Sequence, residues 1–362
     1  MPELYGVKYS REDLLKRVGV MEQIAGVRIG ELADGVGRGI RTAEFFNGSG
    51  LHVNILIDRG LDIYNASYDG IPLSWISATG PTHPSYFEAS GLGWRRSFFG
   101  GLLLTCGLTT IGAPSVDQGE ALGLHGRVSN LPASCLKYGG EWQGDTYTIY
   151  LEGEVREAVV FGENLLLHRR IEGRLGEAKI SVFDTVTNEG YQSAPHMMLY
   201  HINAGFPVVD KDAQLLAASS SVVCRDSGGE DARADDHTFS APIPGFQEQV
   251  FFHEMVPASD GYVTVAVVNP GFGSGRGLGL YVHYRQRELR CFNEWKMMGE
   301  GIYSVGMEPA TNFVLGRAEA RRQGTLQILE PGEQRKYHLE LGVVSSPAEI
   351  EQLKRRTKPG GR

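Results

Sequence analysis

Cysteine is scarce in this sequence and never closely spaced: Cys106, Cys135, Cys224 and Cys291 are spread over 362 residues with no CxxC. That spacing excludes a zinc knuckle or a thioredoxin-type centre and reads as reduced, mostly buried thiols. Long apolar runs are missing as well. No stretch approaches the ~20 residues that a membrane helix needs, and MPELYGVKYSREDLL at the start has no apolar segment followed by a cleavage site. Cytoplasmic residence is therefore expected. An excess of basic residues is also absent. With 43 acidic and 35 basic residues the formal charge is −8, which excludes a nucleic-acid or anionic-membrane surface as the working face. No GxGxxG opens a helix, and GxxxxGK[ST], HExxH and GxSxG do not occur. Nucleotide hydrolysis, zincin proteolysis and α/β-hydrolase chemistry have no foothold. A neutral or small polar molecule is the natural partner.

What the chain has in quantity is glycine, 48 residues, many at turn-like breaks such as NGSG at 47–50, GG at 139–140 and PGE at 331–333. Between the breaks lie β-rich runs at 51–57, 146–155, 164–173, 178–187, 261–268, 277–284 and 336–344. They alternate or run apolar, with β-branched and aromatic enrichment, so the spacing predicts a large all-β, antiparallel protein. Two segments read as helices packed outside it. SREDLLKRVGVMEQI has Ser10 as N-cap, and SPAEIEQLKRR has Ser346 before Pro347. The polar stretch at 224–239 reads as a surface loop and the TKPGGR tail as frayed. No fixed-period repeat or Pro/Ser linker divides the chain. The expected organisation is an N-terminal extension over 1–27, one β domain over 28–345, and a helix with its tail over 346–362.

Three short motifs carry groups able to move protons near neutral pH. His125 lies in GLHGR; on an extended chain His125 and Arg127 share a face, an imidazole and a guanidinium suited to hydroxyl or carboxylate oxygens. His201 lies in YHINAGFP. A period of two puts His196 and His201 on opposite faces and His201 with Asn203 on one, which disfavours a metal site built from both histidines. Glu308 closes the apolar run GIYSVGMEP, where partial desolvation raises a carboxylate's pKa and makes it a stronger base once ionised. The plainer alternatives are a turn-capping histidine, a core histidine and a solvated strand-end glutamate. Arg59 and Asp62 in LIDRGLDIYNA, Trp75, GWRRSFFGG with Trp94, Arg95 and Arg96, and FNEWK with Glu294, Trp295 and Lys296 add rings beside hydrogen-bonding charges. Such a mixture suits the apolar face and the hydroxyls of a pyranose. Along FNEWK, Glu294 and Lys296 face one way, and Asn293 and Trp295 the other.

The order GGLLLTCGL, GLHGR, a strand ending VTNEG, HMMLYHINAGFP and GMEPATN resembles the aldose 1-epimerase (galactose mutarotase-like) family, over roughly residues 28–345. The closest likeness is to a divergent bacterial branch of unassigned specificity. The resemblance implies a supersandwich of twisted antiparallel sheets with a sugar on its concave face, and neither metal nor organic cofactor. It implies Glu308 as the base for the anomeric hydroxyl, His201 as the acid for the ring oxygen, and His125 as the group that polarises the ring-oxygen region. Arg59 matches a binding arginine on an early strand. The family's sugar-binding aspartate has no clear counterpart: Asp210, Asp212, Asp235 and Asp236 are open, and Glu248 could replace it. Arg127, where better-known members carry glycine, points to a carboxylate, sulfonate or phosphate on the substrate, or to a different hydroxyl pattern.

On this reading the function is interconversion of sugar anomers. A sugar isomerase or lyase that removes a carbon-bound proton on the same scaffold is the alternative, and a non-catalytic carbohydrate sensor is a third. Retention of both acid and base favours an enzyme.

Overall fold

Alternation written in the sequence becomes alternation in space. Along Thr146–Ala158 every second side chain is buried, and Asn164–Arg174 and Lys179–Asn188 follow the same period. The computed structural model describes residues 1–226 and 237–357. In it an eight-stranded sheet runs in the order Ser134–Gln143, Thr146–Ala158, Asn164–Arg174, Lys179–Asn188, Gln334–Val344, Leu278–Arg285, Tyr262–Asn269, Gln214–Ala217. A seven-stranded sheet runs Ser219–Cys224, Gln249–Met255, Cys291–Gly299, Ile302–Ala310, Ala194–Ala204, Gln327–Leu329, with Leu104–Leu108 also pairing Ala194–Ala204. Five strands between Gly26 and Pro72 make a third sheet. Every pairing within these sheets is antiparallel. The all-β antiparallel sandwich expected from the pattern is the fold observed, and the predicted strands lie within a few residues of the observed ones.

The two large sheets face each other through one apolar core. Ile149, Leu167, Val182 and Leu339 of the first meet Ile202, Met298, Val305 and Met307 of the second. The outer face of the seven-stranded sheet carries a separate cluster with Trp94, Leu104, Cys106, Met197, Leu199 and Val250. On Ala194–Ala204, Tyr200 and Ile202 therefore point into the main core, and Leu199 and His201 point outward. This split positions the site.

The first helix is shorter than its pattern. Ser10 and Asp13 form a reciprocal capping box, but α-helix covers only Arg11–Leu15, and one 3-10 turn follows at Met21–Gln23. The intervening Val18-Gly19-Val20 combines β-branching with glycine, both poor in a helix interior. Leu4 and Leu14 join the main core, each side chain contributing roughly 1.5–3 kcal/mol of docking by burial. The C-terminal helix Pro347–Arg356 is capped by Ser346 as its sequence predicts. Most of the 224–239 loop and of the tail lies outside the described residues. Of the four free thiols only Cys106 is fully buried, and Cys135 is exposed. Cys135 sits with φ 52 at a register shift in the edge strand Ser134–Gln143, where the chain leaves the regular ladder. Among the described residues no helix is long and apolar enough to cross a membrane.

Candidate active site

Register on three adjacent strands brings His201 and Glu308 together. Asn293 pairs with Glu308 and Trp295 with Gly306; on the other side Ile202 pairs with Met307, which sets His201 beside Glu308. Directly opposed residues share a face, so His201, Glu308, Gly306 and Trp295 all point outward from the sandwich. Nε2 of His201 lies 3.1 Å from Oε1 of Glu308. Both residues are nearly enclosed, at 4% and 3% exposure. Gly306 forms the floor beneath them. A Cβ there would stand 2.9 Å from Glu308 Oε1, 3.0 Å from Trp295 Cβ and 3.1 Å from His201 Cε1.

Burial dominates the charge state of the pair. Desolvation, helped by the nearby Glu248 and Glu294 and opposed by Arg225, pushes the Glu308 carboxyl up to about 8. Desolvation, with His125 adding to it, holds His201 well below the usual imidazole range, while the Asn203 side chain acts in the opposite sense. A low-dielectric site prefers the uncharged forms of both groups. Near pH 7 the pair thus holds one proton, on the carboxyl. Nδ1 of His201 and Oδ1 of Asn203 are buried without a hydrogen-bond partner, whereas the Asn203 amide donates to the carbonyls of Gly101 and His201. Asn203 is fully buried and pairs in register with Gly306, which sets it on the same outward face as His201, as the alternation predicts.

His125 arrives from a turn, not from a strand. Its φ of 58, followed by φ 79 at Gly126, is left-handed backbone that costs a non-glycine residue roughly 1–3 kcal/mol. Three contacts hold it. The His125 N–H donates to Gly112, its carbonyl accepts from Gly107, and Nδ1 accepts from the Gly112 N–H at 3.3 Å. With Nδ1 an acceptor, the neutral ring carries its proton on Nε2. Burial and the charge of Arg95 lower its pKa to about 3, so near pH 7 the His125 ring is uncharged.

Aromatic rings enclose the histidines. Trp94 lies 4.7 Å from the His125 ring and Phe98 5.1 Å from that of His201. Trp295 lies 5.7 Å from His201 and 5.6 Å from Trp75. At the rim Trp295 Nε1 donates to Glu248 at 2.9 Å, and Arg225 and Arg95 stand 3.6 and 3.9 Å from the same carboxylate. Glu248 is therefore the acidic residue, among those open in the sequence, that reaches the aromatic wall. Asp210 accepts from the Lys211 N–H, Asp212 is exposed on a left-handed turn, and Asp235 and Asp236 lie outside the described residues.

Three expected ligand contacts are not brought to the cleft. Arg59 is fully buried and donates to the carbonyls of Ser129, Thr82 and Ser97. It staples the segment bearing Trp94 and Phe98, and its fork is used up by backbone. Lys296 alternates with Trp295 and points inward, its Nζ 5.7 Å from the Phe239 ring in the main core. Arg127 leaves His125's face because the chain turns at 125–126; its charge bears on Glu157, and Arg95's bears on His125. Phe98, Arg225 and Gly306 were missed as site residues. Gly306, two residues before Glu308, falls on the same face by simple alternation and was there to be found; Arg225 sits in a polar loop with no distinguishing signal.

Among the described residues no group of three or more His, Cys, Asp or Glu could hold a metal ion. Surface hollows of about 430 and 400 Å³ lie elsewhere, the first beside Cys291 and Asn312, the second beside Glu288 and Tyr337. Neither contains the acid–base pair, and chemistry weighs more than volume in locating a reaction centre.

The architecture defines the class: a galactose mutarotase-like β-sandwich. A protein of Klebsiella pneumoniae, described as a "putative aldose 1-epimerase", superimposes with TM-score 0.86 at 23% identity, covering 94% of this chain and 91% of that one. A galactose mutarotase-like protein of Clostridium acetobutylicum gives 0.62 at 11%, covering 89% and 99%. A galactose 1-epimerase of Lactobacillus acidophilus gives 0.53 at 11%, also covering 89% and 99%. No curated protein matches by sequence. The chain belongs to the family described as Domain of unknown function (DUF4432), which matches residues 37–343.

Proposed function

We propose that the protein interconverts the anomers of a free sugar or sugar derivative by general acid–base ring opening and closure. The observation that carries this reading is the enclosed 3.1 Å contact between His201 Nε2 and Glu308 Oε1, under a wall of aromatic rings. Moving the shared proton from the carboxyl to the imidazole gives carboxylate and imidazolium with no change in the pair's total charge. Glu308 then takes the proton of the anomeric hydroxyl while His201 gives one to the ring oxygen. The bond between C1 and the ring oxygen breaks, and the aldehyde forms. The pair ends as carboxyl and neutral imidazole, the state that burial favours. Rotation about C1–C2 and the reverse transfers close the other anomer. The Nε2–H of His125 is directed to the ring-oxygen region, and Trp295 and Phe98 pack on the apolar face of the ring. Acid–base catalysis of this kind contributes ~10²–10⁴-fold.

Proton NMR in deuterated water tests the reading on a panel of neutral and acidic sugars. Faster exchange between anomers with no deuterium at carbon is the expected result. Deuterium at C2 or a new product would move the chemistry to an isomerase or lyase, and binding without any exchange would make the protein a sensor.

A further inference from the structure

We propose that the sugar carries an anionic substituent, a carboxylate or a phosphate, which Arg95 binds at the cleft rim, and that Glu248 occupies that place until the substrate arrives. The inference rests on the anomer-interconverting site above and names its substrate class.

The guanidiniums near the cleft differ in what they already hold. Arg59 is spent on three carbonyls. Arg225 is forked onto Asp226 through two bonds of 3.0 Å, and Arg96 pairs with Glu88 at 3.3 Å. The Arg95 guanidinium makes no hydrogen bond among the described residues. Its nearest carboxylate is Glu248 at 3.9 Å, and its side chain is 59% exposed. A planar fork of this kind matches carboxylate or phosphate oxygens in pairs, and an exposed contact so long is worth ~0–1 kcal/mol, so a ligand anion displaces Glu248 cheaply.

Position links this fork to the reaction centre. Arg95 follows Trp94, whose ring lies 4.7 Å from that of His125, in the 3-10 turn Gly93–Arg96; the Ser97 hydroxyl donates to the Trp94 carbonyl and Arg59 donates to the carbonyl of Ser97. Glu248, the group that marks where an anion sits, accepts from the Trp295 indole, and the other side of that indole flanks His201. A sugar with its anomeric centre at His201 and Glu308 and its ring against Trp295 would extend its far substituent to Arg95. Arg127, the cation that the sequence offered for this task, is replaced by Arg95.

The test measures anomer exchange by NMR for a neutral hexose, a hexuronic acid and a hexose phosphate, in the wild type, Arg95→Met, Glu248→Gln and Arg127→Ala. The wild type is expected to favour one anionic sugar, and Arg95→Met to lose about 10–100-fold in kcat/KM on it, the worth of a charge-assisted bond, with a much smaller loss on the neutral sugar, where only the charge felt by His125 changes. Glu248→Gln should lower KM for the anionic sugar relative to the neutral one, and Arg127→Ala should keep the wild-type preference. Whichever of uronate and phosphate is favoured identifies the anion. Equal use of neutral and anionic sugars, or an equal loss on both in Arg95→Met, overturns the proposal and leaves the anomerase reading standing. No exchange with any sugar overturns that reading instead. Calorimetric titration with the two anionic sugars then decides the anion site: binding weakened in Arg95→Met retains it, and no binding ends it.

Discussion

Tyr200 and His201 are neighbours on one strand, point to opposite faces of one sheet, and enter two buried polar clusters that differ in completeness. On the Tyr200 side, Arg169 bonds Asp184 at 2.9 and 2.7 Å and Asp62 at 2.9 Å, Thr105 bonds Asp62 at 2.7 Å, and Tyr200 donates to Asp184 at 2.7 Å. Arg169, Asp62 and Tyr200 have no exposed surface, and Asp184 only 2%. On the His201 side a single 3.1 Å contact joins acid to base, and His201 Nδ1 and Asn203 Oδ1 are buried without a partner. A satisfied network holds the strand in place, whereas an unsatisfied one keeps donors and acceptors for something else. The inward pair His253 and Glu294 lies at 3.3 Å and is fully buried. A histidine beside a glutamate is common to both faces of this sheet, and only the outward pair meets the aromatic cleft.

The sharpest way to break the comparison is to remove one member from each side. Glu308→Gln should cost ~10³-fold or more in anomer exchange and leave the thermal transition cooperative, read by NMR and calorimetry on the same sample. Arg169→Ala should do the reverse, destabilising by about 3–5 kcal/mol because two carboxylates lose their buried partner, while any folded fraction keeps its turnover. An Arg169→Ala protein that stays fully folded yet inactive would move the network into the chemistry.

A smaller effect is expected at the floor. Gly306→Ala puts a methyl within 2.9–3.1 Å of Glu308, Trp295 and His201, and should lower kcat by roughly 10–100-fold through misplacement while overpacking lowers stability by about 1–3 kcal/mol.

The pH profile separates the sides further. Turnover needs one proton on the His201–Glu308 pair, so kcat/KM should be bell-shaped. It falls as pH rises through about 8, where Glu308 loses its proton, and falls again in acid, once His201 takes a second proton. A flat profile from pH 6 to 9 contradicts the pairing.

The smallest effect concerns stability. The folded pKa of Glu308 is raised, so its contribution is fully present below the ordinary carboxyl range and is lost as pH rises toward about 8. Glu308→Gln should therefore unfold a few degrees higher than wild type, with the gap widening as pH is raised toward 8. An unchanged gap contradicts the burial argument. A protein more stable without the Glu308 carboxylate is what the proposed role as base predicts, since reaction centres commonly cost stability.

Much of this was legible in the sequence. Period-two burial and glycine breaks marked the strands, and the order of GLHGR, YHINAGFP and GMEPATN brought His125, His201 and Glu308 together. The rest failed for physical reasons. Arg59 looked like a ligand contact, but its partners are carbonyls 23 to 70 residues away, and no local pattern reports them. Arg127 was lost to a left-handed turn at a histidine, where an extended chain was assumed. Lys296 is different, because its alternation with Trp295 already separated the two faces. Arg95 and Arg96 are indistinguishable by type and spacing, and only the fold shows which of them reaches Glu248.

The incomplete cluster on the outward face of the His201 strand is, on the proposed function, a reaction centre. Saturation transfer between the anomeric protons of a sugar, compared for equal concentrations of folded wild type and Glu308→Gln, tests it most directly. Transfer is expected in the wild type and only the uncatalysed rate in the variant; equal transfer in both would show that Glu308 is not the base.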